Sequence, residues 1–125
     1  MEKKHALVAL LLLLLLVACG RSDNYGFPSK IDFGKEGGTK FCSGRFMMSN
    51  VDINDYNGNG KAEVTRDEND TIIAKCYWLT VKFKRLVGPE IKIMAEPNTT
   101  GKKRTLYIYG LVCGDDVTIK VTQSK

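Results

Sequence analysis

From residue 30 onward, apolar and polar residues alternate with a period of two, and no other feature limits the fold of this chain so strongly. Ile31 and Phe33 flank Asp32, and the same spacing recurs over residues 91–96 and 117–122. This period is typical of strands with one buried face, because successive side chains of a strand point to opposite sides. No stretch after residue 18 combines a helical spacing with capping residues. The pattern therefore predicts an all-β chain.

Turn-forming residues separate the alternating segments. Glycine, proline and asparagine cluster at spacings that suit hairpins, over residues 34–38, 57–60, 88–89, 97–101 and 113–116. If the first 18 of the 125 residues are a leader, as argued below, 107 remain, which is enough for one small domain and too few for two. We therefore expect an immunoglobulin-like antiparallel β-sandwich over residues 30–125.

One change of parity interrupts the pattern. Apolar residues occupy the even positions of 72–78 and then the odd positions of 79–83, so the buried face switches between Trp78 and Leu79. A bulge or a strand that changes sheets would account for both runs. Trp78, beside Cys76 and Leu79, is expected in the core.

The chain begins with the pattern of an export signal. Lys3, Lys4 and His5 precede thirteen apolar residues at 6–18, too few to span a bilayer, which needs roughly 20. The run ends in Leu-Val-Ala-Cys-Gly at 16–20, which resembles the bacterial lipobox, where the cysteine is acylated and the chain is cut before it. We expect a lipoprotein signal peptide at 1–18, lipidation of Cys19, and a short polar tether at 19–29. Plain secretion is the alternative.

More than one acyl chain on Cys19 would hold the protein durably on a membrane, at ~0.8 kcal/mol per buried methylene. Gly20, rather than an aspartate, follows the cysteine, which favours the outer membrane or cell surface over retention at the inner membrane.

Histidine is missing from the chain that would remain after cleavage, because the one histidine is His5. Ser-His-Asp and Cys-His nucleophiles, histidine bases and histidine-ligated zinc are therefore not expected. We expect neither an enzyme nor a cofactor.

Positive charge is mild. Removing the leader with Lys3, Lys4 and Glu2 lowers the formal net charge from +5 to +4. The cluster at 102–104, together with that at 82–85, could form a basic stripe for anionic glycans or lipid headgroups, or could be solvated strand faces and a hairpin tip. Nucleic acid is not an expected partner for an exported protein.

Three cysteines remain beside Cys19, namely Cys42, Cys76 and Cys113. In an oxidising compartment the simplest expectation is one disulfide and one free thiol, and the sequence does not choose among the three pairings. Zinc binding is disfavoured, because structural zinc takes four ligands and the cysteines are not in close pairs.

Several segments of the second half of the chain resemble a known module. They are Trp78-Leu79-Thr80-Val81, the strand at 91–95, Asn98-Thr99-Thr100-Gly101-Lys102-Lys103-Arg104, and the closing strand at 117–123. Together these resemble the closing half of a BACON domain, the Bacteroidetes-associated immunoglobulin-like module of carbohydrate-degrading systems. The resemblance implies glycan or mucin binding, or a spacer role between membrane and enzyme. Independently, Asn98 and Gly101 both tolerate the positive φ of a tight turn, and Arg104 can bond back across the hairpin.

Two tyrosines form the main candidate binding site. Tyr107 and Tyr109 share one strand face about 7 Å apart, a spacing that suits a stacking platform for sugar rings, and Tyr77 could extend it. The alternative is ordinary aromatic packing on a strand surface.

A weak calcium candidate lies in the segment Asp55-Tyr56-Asn57-Gly58-Asn59-Gly60. Asp55, Asn57 and Asn59 match the alternate oxygen ligands of a calcium loop. The twelfth position, however, is Arg66 rather than glutamate, and a glycine-rich hairpin turn is the alternative. No other metal site is expected.

Taken together, these features predict a lipid-anchored envelope protein whose non-catalytic domain binds a glycan or an envelope partner protein. The alternative is a passive structural spacer or an assembly subunit of a surface complex. A third possibility is an inhibitor or adhesin subunit that uses residues 51–75.

Overall fold

The computed structural model describes residues 21–55, 57, 62–85 and 87–125, with the backbone alone at residues 21 and 22. The predicted leader and the predicted lipidation site at Cys19 lie outside these residues. Within the described ranges, a short helical turn at Arg21–Gly26 precedes nine strands. These are β1 (Lys30–Phe33), β2 (Gly38–Ser43), β3 (Asn50–Asn54), β4 (Glu63–Arg66), β5 (Thr71–Cys76), β6 (Leu79–Lys84), β7 (Glu90–Ala95), β8 (Arg104–Val112) and β9 (Asp115–Gln123).

The strands form two sheets that enclose one core. Sheet A has the order β1-β9-β8-β3, and sheet B has the order β2-β7-β6-β5-β4. All neighbouring pairs are antiparallel except β1 and β9, which pair in parallel with Ile31 opposite Val121. The predicted immunoglobulin-like β-sandwich is confirmed. The parallel edge pair was not predicted from the alternation, which carries no information on strand direction.

The core is built from the apolar half of each alternating strand. Ile31 and Phe33 of β1 are buried while Asp32 is exposed, and β7 and β9 show the same pattern. The largest fully buried apolar side chains come from both sheets, namely Ile53, Ile108 and Ile119 from sheet A and Leu79, Ile91 and Ile93 from sheet B. The period of two therefore reports which side of each strand faces the opposite sheet.

The parity change at Trp78 is a hairpin turn, not a bulge or a strand that changes sheets. Cys76 at the end of β5 pairs with Leu79 at the start of β6, which leaves Tyr77 and Trp78 as a two-residue turn. Tyr77 has a φ of 53°. Trp78 is 7% exposed, as predicted, and the Arg104 guanidinium lies 4.7 Å from its ring centroid. The sequence gives no signal for this turn, because it contains neither glycine nor asparagine.

Residues 21–29 belong to the folded body, which differs from the expected tether at 19–29. Phe27 is 3% exposed and packs in the core. The Asn24 amide accepts a hydrogen bond from the Thr118 backbone N–H and donates one to the Thr118 carbonyl, at 3.3 and 2.9 Å. The sequence looked like a linker because this segment is held by polar bonds and one apolar anchor, without an alternating pattern.

Buried polar side chains hold the connection between β7 and β8. Asn98 is 1% exposed, and its amide donates to the carbonyls of Lys102 and Ser124 at 2.8 and 2.9 Å. Gly101 adopts the positive φ of a tight turn, at 75°, whereas Asn98 is not among the residues with a positive φ. The hairpin expected between β7 and β8 is not formed, because these strands belong to different sheets. Arg104 donates from Nε to Gln123 Oε1 on β9 at 2.7 Å, and it donates back to the carbonyls of Glu96 and Pro97, both at 3.2 Å.

In the described part of the chain, no helix has both the length and the apolar character needed to cross a lipid bilayer.

Candidate functional site

Tyr107 and Tyr109 lie side by side on the outer face of sheet A. They alternate along β8 with buried Leu106 and Ile108, so their rings point away from the core and remain partly accessible. The ring centroids are 6.3 Å apart and the ring planes are inclined by 26°. The two rings therefore form a stacked, partly accessible pair, and the predicted pair exists as a geometric unit.

Polar side chains of the neighbouring strands flank the two rings. Tyr107 is paired with Asn54 of β3 and Lys120 of β9, and Tyr109 is paired with Asp52 and Thr118 on the same two strands. Directly opposed residues of antiparallel strands project from the same face of the sheet. The aromatic surface is thus bordered by an amide and a carboxylate on one side and by an ammonium group and a hydroxyl on the other.

The carboxylate of this site is oriented by backbone donors. Asp52 Oδ1 accepts hydrogen bonds from the N–H groups of Ile53 and Ala62, at 2.9 and 3.3 Å. A shallow depression of about 230 Å³ adjoins Tyr109, and its polar lining comes from Asn50, Asp52 and Asp116. The site therefore combines two aromatic rings with hydrogen-bonding groups beside a shallow depression.

Tyr77 does not extend this surface. Its side chain is 68% exposed, but it lies in the turn between β5 and β6 of sheet B, whereas the paired rings cover the outer face of sheet A. The suggestion that Tyr77 belongs to the platform is therefore corrected, because the hairpin turn places it at one end of the opposite sheet.

The sequence did not single out Asp52, Asn54, Thr118 and Lys120 as neighbours of the tyrosines. The positions of Thr118 and Lys120 follow from the tight turn at Cys113 and Gly114, which joins β8 to β9 and sets their register. The positions of Asp52 and Asn54 depend on β3 pairing with β8, a contact between strands about 55 residues apart that no local signal specifies.

None of the three cysteines in the described residues takes part in a disulfide, so the expected bridge among them is not formed. Cys42 lies on edge strand β2 opposite Ile91, and Cys76 ends β5, with β6 and β7 between the two strands. Cys113 is exposed in the turn of sheet A. Burial raises the pKa of the Cys42 thiol to about 11, with a smaller effect of Glu90, and burial also raises the pKa of Cys76. The three cysteines therefore lie in separate parts of the fold.

The calcium candidate is described only in part, because Asn59 lies outside the described residues. Asp55 Oδ1 accepts a hydrogen bond from the Asn57 N–H at 3.1 Å. The residues that the structure describes contain no group of three or more histidine, cysteine, aspartate or glutamate side chains suited to a metal ion. The calcium site stays a prediction from the sequence.

The basic residues form two separate groups instead of one stripe. Lys82 of β6 pairs with Lys92 of β7 on the outer face of sheet B, and Lys84 follows at the end of β6. A groove of about 470 Å³ beside them is also lined by Val87 and Glu90. Residues 102–103 follow the other end of β7, so the two groups lie at opposite ends of the sheet.

Comparison with known proteins supports the fold only. No family model matches the chain, and no curated protein matches it. Among solved structures, the chain is similar to one described as the NMR structure of a protein from Bacteroides thetaiotaomicron, with a TM-score of 0.53 and 18% identity. The match covers 77% of this chain and 75% of that one.

Proposed function

We propose that this chain is a lipid-anchored protein of the bacterial envelope whose β-sandwich binds a glycan without catalysis. The observation that carries the binding role is the stacked aromatic pair Tyr107 and Tyr109, 6.3 Å apart and partly accessible on the outer face of sheet A. Sugars present apolar C–H faces that stack on such rings, and their hydroxyl groups need polar partners at the edge. In this proposal the polar partners are the residues paired with the two tyrosines, namely Asn54, Asp52 and Lys120.

A glycan array tests the binding role. The wild-type protein is expected to bind at least one glycan class, and the double variant Tyr107→Ala, Tyr109→Ala is expected to bind at least about tenfold more weakly, equivalent to ~1.4 kcal/mol. Tyr77→Ala is the matched control, since it removes an exposed tyrosine from the opposite sheet. Equal binding by the double variant and wild type would refute the site.

A second variant separates loss of the rings from loss of the fold. Asn54→Ala removes one polar group beside Tyr107 and leaves both rings in place. We expect it to weaken binding while the denaturation midpoint stays close to that of wild type. If Asn54→Ala and the double variant both retain binding, the ligand does not use this face of the sheet.

The lipid anchor is proposed from the leader at 1–18 and Cys19. Expression with its own leader should yield a membrane-bound protein whose N-terminal peptide carries acyl chains at Cys19. Cys19→Ala should abolish acylation. A mature protein that begins elsewhere and is free in the periplasm or medium would refute the anchor.

An assembly subunit is the second candidate, and edge strand β2 favours it. One side of β2 pairs with β7, while the other side ends sheet B. Phe41 on this strand is 60% exposed, with the Lys92 ammonium 5.9 Å from its ring centroid. An edge strand of this kind can accept a strand from another chain. The resemblance to BACON domains is compatible with both candidates, since spacer roles are implied beside glycan binding.

A further inference from the structure

One end of the sandwich collects the N-terminal turn and the connection between β2 and β3. The Arg45 N–H donates to the Tyr25 carbonyl at 2.7 Å, and the Tyr25 ring packs edge-on against Phe46 with centroids 6.3 Å apart. The Tyr25 hydroxyl also donates to the Asp115 carboxylate at the start of β9. We call this the N-terminal end, defined by residues 21–26, 44–49 and 113–115.

Two neighbouring apolar side chains are exposed at this end. Phe46 is 51% exposed and Met47 is 40% exposed, whereas the next residue, Met48, is 2% exposed and belongs to the core. Gly110 leaves room for the Met48 side chain, because an added Cβ at Gly110 would lie 2.5 Å from the Met48 sulfur. The connection therefore buries Met48 and leaves Phe46 and Met47 exposed. Adjacent exposed phenylalanine and methionine side chains indicate a contact surface.

The short piece of chain between Cys19 and Arg21 limits how far the N-terminal end can lie from the lipid anchor. Cys19 precedes Arg21 by two residues, so their Cα atoms are at most ~7 Å apart in any conformation. The turn that begins at Arg21 is fixed to the sandwich by Asn24 and by the ion pair of Asp23 with Arg45, at 2.6 Å. An acyl group on Cys19 would therefore enter the bilayer beside the N-terminal end, with no long tether to let the domain turn over.

The opposite end cannot reach the same surface. Strands β5 and β6 have six residues each, which span ~20 Å at about 3.3 Å per residue. Their turn, with the exposed Tyr77, therefore lies well above a bilayer that the N-terminal end touches. Charges near Phe46 include both signs, such as the paired Arg45 and Asp23.

We propose that Phe46 and Met47 insert into the interfacial layer of the membrane that carries the lipid anchor, so that the sandwich stands on its N-terminal end. Side chains of this kind enter about 5–10 Å into the boundary between headgroups and acyl chains. The inference rests on the lipid anchor of the proposed function. It adds a second attachment that fixes orientation, and it leaves the outer face of sheet A upright and open to a ligand.

Tryptophan quenching by brominated phospholipid tests the inference on the full lipidated protein. The protein is reconstituted in vesicles of phosphatidylethanolamine and phosphatidylglycerol, and the emission of Trp78, in the far turn, is the common background. Phe46→Trp and Met47→Trp place a second tryptophan at the proposed contact. Tyr77→Trp is the matched control, an exposed aromatic position at the other end.

The expected result is a large loss of the added emission in Phe46→Trp and Met47→Trp and little loss in Tyr77→Trp. If the two variants are quenched no more than Tyr77→Trp while the protein still floats with the vesicles, the insertion is refuted and the anchor stands. If the wild-type protein does not float with the vesicles, the anchor is refuted and the insertion with it.

Discussion

Phe27 offers the sharpest test of how the segment before residue 30 is held. Its side chain is 3% exposed, and it lies three residues before the first strand in a stretch that reads as a linker. Burial of a phenylalanine is worth about 1.5–3 kcal/mol in transfer from water alone. The cavity that Phe27→Ala leaves raises the expected loss of unfolding free energy to about 3–5 kcal/mol. Small domains have about 5–15 kcal/mol in total, so the loss is a large share.

Gly44 provides an independent control on the same contact. A Cβ added at Gly44 would overlap the Phe27 ring, and no positive φ at Gly44 opposes alanine. Gly44→Ala alone is therefore expected to cost about 1–3 kcal/mol through overpacking. In the Phe27→Ala background the new methyl group would enter the vacated space. The double variant should thus be more stable than the two separate losses imply, by about 0.5–3 kcal/mol.

Urea denaturation followed by the fluorescence of Trp78 measures both effects, because this tryptophan is 7% exposed and the chain has no other. A loss below about 1 kcal/mol for Phe27→Ala would be that of an ordinary surface site and would refute core packing of the segment. Additive losses in the double variant would refute the direct contact of Phe27 with Gly44.

Three further predictions follow from buried and charged groups. Gln123 is fully buried, and its amide donates to the carbonyls of Gly34 and Glu96, so Gln123→Leu should lower the unfolding free energy by about 2–5 kcal/mol in urea melts; a loss under ~1 kcal/mol would contradict this bond pattern. The Thr122 hydroxyl holds the pKa of Asp32 below 3.8, so the bond between them should stabilise the fold above that pH and lose its effect as the pH falls further. Asp32→Asn should flatten the acid side of the plot of unfolding free energy against pH. An unchanged acid side would contradict the contribution of this bond. Iodoacetamide should label exposed Cys113 before Cys42, whose pKa is about 11, as read by mass spectrometry; equal rates would contradict the burial of Cys42.

The sequence predicts the two-layer β fold well because burial in a sandwich imposes its own period. Ile31, Phe33 and the apolar residues of β7 and β9 face the core as their spacing requires. Two of the places where the structure differs from the prediction have a common cause. Trp78 lies in a turn without turn-forming residues, and Phe27 anchors a segment without alternation. In both, tertiary contacts decide the structure, and these have no local signal.

The candidate site likewise has one part that the local sequence predicts and one part that depends on the strand topology. The stacking of Tyr107 and Tyr109 follows from their separation by one residue on a strand. Their neighbours Asn54 and Asp52 come from a distant strand whose pairing depends on the whole topology. The sequence allows Tyr77 to extend the pair, but the strand order places it in the β5–β6 turn of the opposite sheet.

Mapping a bound glycan by NMR titration tests the central claim most directly. With a ligand from the array, the account predicts that the largest amide shift changes fall on β8 around Tyr107 and Tyr109 and on the paired residues Lys120 and Asn54. Shift changes centred instead on the groove beside Lys82 in sheet B, or no changes with any glycan, would contradict it.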